Sequence, residues 1–421
     1  MNILIVGSGA KEYTLAKLIS YYENTALVFV APGNEAIAEF TNCIDIKSDN
    51  TEELLEFAKA NEIDLTIAAS EKAIENDIAQ KFNDAGLTIF APTADAARIT
   101  TSKSVSKKFM YKTKIPTSKF GIFDRESMAI DYARKSKYPL VVKTDNHMHG
   151  ENVYVCDNFK IAKRIIEELF DSKEKKVIIE DYVSGQEFSY YVITDGYNAM
   201  PISSSVPYKG TLEGNGGYIT SGLGAYAPFY MIDRELESRI FKEIVYPALD
   251  ELSKNTTPYV GILGIDIILD RSGKLNVLEF NPFFREPDAQ CILDLIDENF
   301  TNVMKSAITG TLVDDYYEIR QKSGFSLSVV LSSGNYPTEG TYGSVISGLD
   351  EAEEYSEIAH FNTLKDRDGH FVTAGGRTLT VTAKASTLEQ AAHRAYESVN
   401  MISFDAMKYR KDIGKTILIG C

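Results

Sequence analysis

Asp266, Glu279 and Asn281 are the residues whose spacing best suits a hard metal ion. The stretch "GIDIILDRSGKLNVLEFNP" reads as two apolar strands around the turn "LDRSGKL". Asp266 lies on the first strand and Glu279, thirteen residues later, on the second, so a hairpin can bring both to one side. Glu279 and Asn281 are two apart and share a face, because side chains alternate along a strand. Three oxygen donors on one face suit Mg²⁺ or Mn²⁺, which prefer carboxylate, carbonyl and phosphate oxygens. The alternative is a solvated polar face on an edge hairpin.

A second group precedes these residues. Lys103 opens a helical stretch, and Lys143 ends the apolar run "LVVK". In "VIIEDYVSGQEFS" the pair Ile178–Ile179 predicts a buried strand, and Glu180 through Val183 an extended linker. Extended backbone at Glu180, Asp181 and Val183 leaves N–H and C=O groups that can read an adenine edge. Glu187 can accept hydrogen bonds from ribose hydroxyls, while Lys103 and Lys143 can reach phosphates from separate elements. Taken singly, each resembles an ordinary solvated surface residue. In this order they describe a nucleotide site that ends at a metal.

The elements that must position these residues are legible as patterns. The first hundred residues alternate short apolar strands ("NILIVG", "ALVFVAPGN", "LTIAAS", "LTIFAP") with helical stretches such as "NTEELLEFAKANE" and "AIENDIAQKFNDAG". That alternation predicts an α/β unit with a doubly wound parallel sheet. Gly7-Ser8-Gly9 is at most a partial dinucleotide fingerprint, since Glu12 stands at its third glycine, and a plain tight turn is the simpler reading. The helix "SKSVSKKFMYKTKIP" is expected to run to Pro116. Strands follow near 120, 140 and 153, then a helix over 158–171. A mixed unit begins near 323 with "GFSLSVVLSSGNYP".

Composition narrows the class. The 421 residues are 44% hydrophobic and carry a net charge of −16, which argues against nucleic acid or an anionic membrane as the main partner. Cys43, Cys156, Cys291 and Cys421 have no CxxC spacing, so neither a zinc site nor a disulfide framework is expected. Met1-Asn2 runs straight into the first strand, and no apolar run approaches a membrane span. The expectation is a reduced, cytoplasmic, soluble protein.

The nucleotide and metal groups resemble the ATP-grasp superfamily. Within it, the chain is similar over nearly its whole length to the glycinamide ribonucleotide synthetase (phosphoribosylamine–glycine ligase) family. The stretches that carry the likeness include "GSGAKEY", "FVAPGN", "GLTIFAPT", "SKSVSKKF", "LEFNPFF", "TAGGRTLTVTA" and "YRKDIG". The resemblance implies an ATP-grasp fold with a mobile lid, and ATP and Mg²⁺ as cofactors. It implies ligation of glycine to phosphoribosylamine through a glycyl phosphate, ATP becoming ADP and phosphate. It also implies an N-terminal domain over 1–102, a core over 103–120 plus 190–322, a lid over 121–189 and a C-terminal domain over 323–421.

Departures from the family pattern cluster in its loops. The lid loop D-G-L-A-A-G-K-G-V reads here Asp145-Asn146-His147-Met148-His149-Gly150-Glu151-Asn152-Val153. The stretch R-F-G-D-P-E reads Phe283-Phe284-Arg285-Glu286-Pro287-Asp288, and the arginine and histidine of G-G-R-E-H are Lys11 and Tyr13. A second substrate loop differs over 207–222. Asp266 stands where the family usually has glycine. His147 and His149 have no third ligand nearby in sequence and are read as a solvated loop, and His360 as structural. Exchanging lysine for Glu151 moves the charge near a triphosphate by two units. One unit pair at 4 Å is worth about 1 kcal/mol in water and about 4 kcal/mol at an effective dielectric of 20. The expectation is retained nucleotide binding with weak or absent glycinamide ribonucleotide synthesis. The alternatives are the authentic ligase, a carboxylate–amine ligase with other substrates, and a non-catalytic nucleotide-binding or interaction protein.

Overall fold

The computed structural model describes residues 1–23, 27–145, 152–172 and 176–415. Asn146 to Glu151, with His147, His149 and the altered charge of the lid loop, lie outside the described residues, as does Cys421.

Five short strands form the first sheet: β1 (Asn2–Gly7), β2 (Leu27–Pro32), β3 (Asn42–Cys43), β4 (Leu65–Ala68) and β5 (Ile89–Phe90). They run parallel in the order β3-β2-β1-β4-β5. Ile3, Leu4, Ile5 and Val6 are all buried, as expected of a strand covered by helices on both faces. Two expected elements differ. The stretch "AIENDIAQKFNDAG" is not one helix but two, Glu71–Glu75 and Ile78–Asp84. Asp77 breaks it at φ +57, a left-handed conformation that Asp tolerates, and its carboxylate accepts the Ala94 N–H at 2.9 Å. The helix Lys103–Thr113 stops before Pro116, at Lys114, which is also left-handed at φ +59.

A second, antiparallel sheet has the order β6-β9-β7-β8, with β6 at Phe120–Phe123, β7 at Leu140–Thr144, β8 at Val153–Cys156 and β9 at Val177–Asp181. Helices Glu126–Lys135 and Phe159–Asp171 cover one face, burying Ala129, Ala133 and Ile166 against Leu140, Val142 and Ile179. Alternation therefore turns Val141, Lys143 and Glu180 to the other face.

The largest sheet begins with β10 (Gly185–Asp195) and β11 (Ala199–Pro207). The chain then forms a small separate hairpin, β12 (Gly210–Leu212) and β13 (Gly216–Ile219), before returning to the large sheet with β14 (Gly224–Ala227), β15 (Val260–Asp270), β16 (Leu275–Asn281) and β17 (Phe325–Ser333). Its order is β16-β15-β10-β11-β14-β17, then strands Arg377–Ala385 and Glu357–His360. The unit that begins near 323 thus adds its strands to the same sheet, through β14 pairing with β17. On β10, Phe188, Tyr190 and Val192 enter one core while Tyr191 and Ile193 enter the other. Glu187 and Ser189 share the parity of Tyr191. Among the described residues no helix is long and apolar enough to cross a membrane.

Candidate nucleotide and acid site

A cleft of about 360 Å³ lies between the outer face of the β6–β9 sheet and the large sheet. Val141, Val153, Val155, Val183, Ile268 and Leu278 supply apolar wall, and Lys143, Glu180, Asp181, Glu187 and Lys209 supply charge. Five of the six residues assigned to the nucleotide from sequence therefore line one cavity. The sixth, Lys103, is buried and points its ammonium at Glu279 Oε2, 3.5 Å away.

Glu180 is a counter-ion before it is anything else. Strand β9 continues through Glu180 and Asp181, so the extended linker is shorter than expected and consists of Tyr182 to Ser184. The Glu180 carboxylate meets Lys107 Nζ at 2.9 Å and Lys143 Nζ at 3.1 Å, and accepts from Ser118 Oγ at 2.8 Å. Burial opposes its ionisation. The two ammonium groups and their hydrogen bonds override that opposition and hold the carboxyl at about 2. Lys107 was not singled out from the sequence. It follows Lys103 by one helical turn, but a lysine on a helix is usually solvated, and here Glu180 and the Thr117 hydroxyl at 2.7 Å receive the buried ammonium. The Asp181 N–H is committed to Lys119 O at 2.9 Å, so a base-reading edge has to come from Tyr182 and Val183.

The acid group sits across the cleft on β10, β15 and β16. Asp266 pairs with Ser189 on one side and Glu279 on the other, and Gly264 pairs with Asn281. The register shifts after Asp266, leaving Leu278 unpaired. Such a bulge re-aims the neighbouring side chains, and here it brings Glu279 opposite Asp266. Asp266 and Glu279 converge closely enough to contact the same guanidinium nitrogen, Arg285 Nη1, which lies 2.9 Å from Glu279 Oε1. Asn281 donates to Asp266 Oδ1 at 3.3 Å and Ser189 Oγ donates to the same oxygen at 2.9 Å. Lys209 Nζ lies 2.7 Å from Asp266 Oδ2 and 2.5 Å from Glu187 Oε1.

This arrangement does not fit a divalent ion as it stands. Each carboxylate oxygen of Asp266 and Glu279 already faces a donor or a cation, and the point they share is taken by Arg285. Burial alone would weaken the proton affinity of Arg285 and Lys209. The surrounding carboxylates more than reverse that and raise both, so each stays charged. Neither residue was assigned from the sequence.

The segment after β16 ties the site to the other units. Glu286 accepts the Lys11 N–H at 2.7 Å and pairs with Arg377 at 3.3 Å. The Gly7–Gly9 turn is closed by its own helix, with Glu12 Oε2 accepting the Gly9 N–H at 2.7 Å. A Cβ at Gly7 would fall 2.3 Å from Glu12 Oε1, so the turn is packed on an internal carboxylate, which favours the plain-turn reading. Asp288 accepts from Tyr191 OH at 2.8 Å, and burial pushes its carboxyl up to about 6. His360 is buried against Phe371, bonded to Thr363 Oγ1 at 2.8 Å, and kept neutral by burial, which pulls it down to about 3.

Asp145 joins the β6–β9 sheet to the helix Lys103–Thr113. Its carboxylate accepts from Ser104 N at 2.7 Å and Ser104 Oγ at 2.8 Å, capping that helix from outside. Asn152, where the lid loop re-enters β8, is left-handed at φ +60, a position the family pattern gives to glycine. Asn152→Ala is expected to lower stability by about 1 kcal/mol and Asn152→Gly to change it by much less, measured by urea denaturation. Equal stability of both variants would contradict this.

Known proteins match nearly the whole chain. Residues 1–100, 101–289 and 326–416 match the N domain, the ATP-grasp (A) domain and the C domain of Phosphoribosylglycinamide synthetase. The phosphoribosylamine–glycine ligase of Clostridium acetobutylicum is 33% identical over 421 residues, covering 99% of this chain and 100% of that one. The ligase of the same name from Neisseria meningitidis serogroup A is 33% identical over 418 residues, covering 98% of each. The crystal structure of the Thermotoga maritima phosphoribosylamine–glycine ligase superposes with a TM-score of 0.84 at 25% identity, covering 98% of this chain and 100% of that one. A biotin carboxylase domain from Hydrogenobacter thermophilus, solved with MgADP, shares the fold at a TM-score of 0.73 and 16% identity, over 97% of this chain and 91% of that one.

Proposed function

Since the chain belongs to the phosphoribosylglycinamide synthetase family of ATP-grasp proteins, we propose that it is an ATP-dependent carboxylate–amine ligase that joins glycine to phosphoribosylamine. The observation that carries the nucleotide half is the cleft between the two sheets. Its volume falls within the roughly 300–1,000 Å³ of small-molecule sites. Apolar walls receive the base, the backbone of Tyr182 and Val183 meets its polar edge, and Glu187 and Lys209 meet the sugar and phosphates. Lys143, at the outer face of the lid sheet, exchanges part of its contact with Glu180 for a phosphate. The γ-phosphoryl group passes to the glycine carboxylate and ADP leaves. The amine then attacks the acyl carbon and expels phosphate. In this chain the positive charge around the transferred group comes from Lys103, Lys143, Lys209 and Arg285.

A second reading is weak or absent synthesis with nucleotide binding retained. The filled acid cluster and the altered substrate loops support it, while full-length identity to named ligases favours the plain ligase. A coupled ADP-release assay with glycine and phosphoribosylamine, beside calorimetry with ATP and ADP, separates the two. The ligase requires ADP release that depends on both substrates, at about 1 s⁻¹ or faster as is usual for enzymes. Nucleotide binding without that release supports the second reading. Release with another carboxylate or amine would move the chain to different substrates, and no nucleotide binding would overturn the proposal.

A further inference from the structure

We propose that Arg285 is the resident cation of the acid cluster, so that Asp266 and Glu279 hold a guanidinium rather than a divalent metal ion. The cluster is balanced as it stands. Glu187, Asp266 and Glu279 bring three negative charges, and Lys103, Lys209 and Arg285 bring three positive ones within ion-pair distance of them. A metal ion entering between Asp266 and Glu279 would meet Nη1 of Arg285 at the point where the two carboxylates converge.

Arg285 is also held from behind. Its backbone N–H reaches Tyr191 OH at 3.3 Å, and its carbonyl accepts from Ala289 N at 2.8 Å, at the start of the helix Asp288–Leu295. Phe283 and Phe284 before it are buried. Glu286 after it is fixed by Arg377 and the Lys11 N–H. The side chain is 9% exposed, with Nη2 directed to Ser221 O at 3.5 Å. The anchored backbone leaves the guanidinium little route out of the cluster. Nη1 alone meets both carboxylates while Nη2 reaches Ser221 O, so the guanidinium ties the cluster to the 207–222 loop, which a single lysine ammonium would not do at the same time.

The inference concerns the acid cluster alone. Only its nucleotide arm rests on the reading of the cleft, and none of it depends on ligase activity. Mn²⁺ titrated into the nucleotide-free wild-type protein, followed by electron paramagnetic resonance of the free ion, should show no bound ion at millimolar metal. Arg285→Gln should gain one Mn²⁺ per chain, and Arg285→Gln combined with Asp266→Asn should lose it again. In the wild type, ADP affinity measured with Mn²⁺ and with a chelator, after allowance for the Mn²⁺ that ADP itself chelates in solution, should give a ratio near one, because the acid cluster offers the metal no further ligand. One Mn²⁺ per wild-type chain that disappears in Asp266→Asn would overturn the proposal. So would a folded Arg285→Gln that still takes up no metal. If Arg285→Gln does not fold, the ADP arm decides: metal-enhanced affinity that Asp266→Asn removes rejects the proposal, and metal-independent affinity supports it.

Discussion

Glu180→Gln is expected to lower the stability of the protein by about 3 kcal/mol at pH 7. The carboxyl is buried between Lys107 and Lys143 and sits at about 2 rather than the unperturbed 4.5. Each unit of that shift is worth about 1.4 kcal/mol between the two protonation states. The folded value lies below the unfolded one, so the contribution is complete above about pH 4.5 and disappears as the pH falls towards 2. Urea denaturation of wild type and variant should therefore differ at pH 7 and converge as the pH is lowered through that window. Glu180→Ala should be worse, because removing one partner of a buried ion pair costs about 3–5 kcal/mol. Adding Lys107→Met to Glu180→Gln should recover part of the loss, since the stranded ammonium is then gone. A Glu180→Gln protein as stable as wild type at pH 7 would refute the role given to this residue.

Arg410→Ala is expected to cost about 3–5 kcal/mol and to release the hairpin of β12 and β13 over the cleft. Arg410 is 2% exposed and grips Asp412 through two bonds, Nε to Oδ1 at 2.8 Å and Nη2 to Oδ2 at 2.6 Å. Its Nη1 donates to Gly210 O at 3.0 Å and Asn215 Oδ1 at 2.5 Å, and the guanidinium lies 5.1 Å from the Tyr208 ring centre. Asp412 in turn accepts the Gly214 N–H at 2.9 Å. Gly210, Gly214, Asn215, Gly217 and Ile219 all line the cleft, so a side chain beyond the last strand, Met407–Lys408, shapes the cleft without lining it. Amide exchange at Gly216–Ile219 should quicken by about 10–100-fold in Arg410→Ala. Arg410→Lys should not restore protection, for want of the fork. Unchanged exchange in a folded variant would contradict the clamp.

What the sequence made legible follows physical range. Glu279 and Asn281 share a face by strand alternation and the turn "LDRSGKL" sets the hairpin, but the bulge that brings Glu279 rather than Leu278 opposite Asp266 left no mark in the sequence. The cations that fill the cluster are different in kind. Lys209 lies 57 residues from Asp266 and Arg285 lies 19 away, both outside the strands, and no periodicity announces where such side chains point. One trace was available. Asp266 and Arg285 both depart from glycine in the family pattern, and in the fold they bind each other, so two separate oddities are one ion pair. Lys107 was hidden for the opposite reason. Its spacing from Lys103 was plain, but its ion pair is with Glu180 on β9, far along the chain. The parallel sheet was readable from its apolar runs, including that around the two-residue β5, whereas β3, Asn42–Cys43, has no apolar run to show it.

The junction of β14 with β17 has a consequence for the growing chain. β14 ends at Ala227 and its partner on that side begins at Phe325. A ribosome working at about 5–20 residues per second adds the roughly one hundred intervening residues in about 5–20 seconds. Throughout that interval the core sheet waits with one edge bare. A long apolar edge would invite a neighbouring nascent chain to pair with it. The strand left waiting spans only Gly224–Ala227, which gives such a neighbour little to align on.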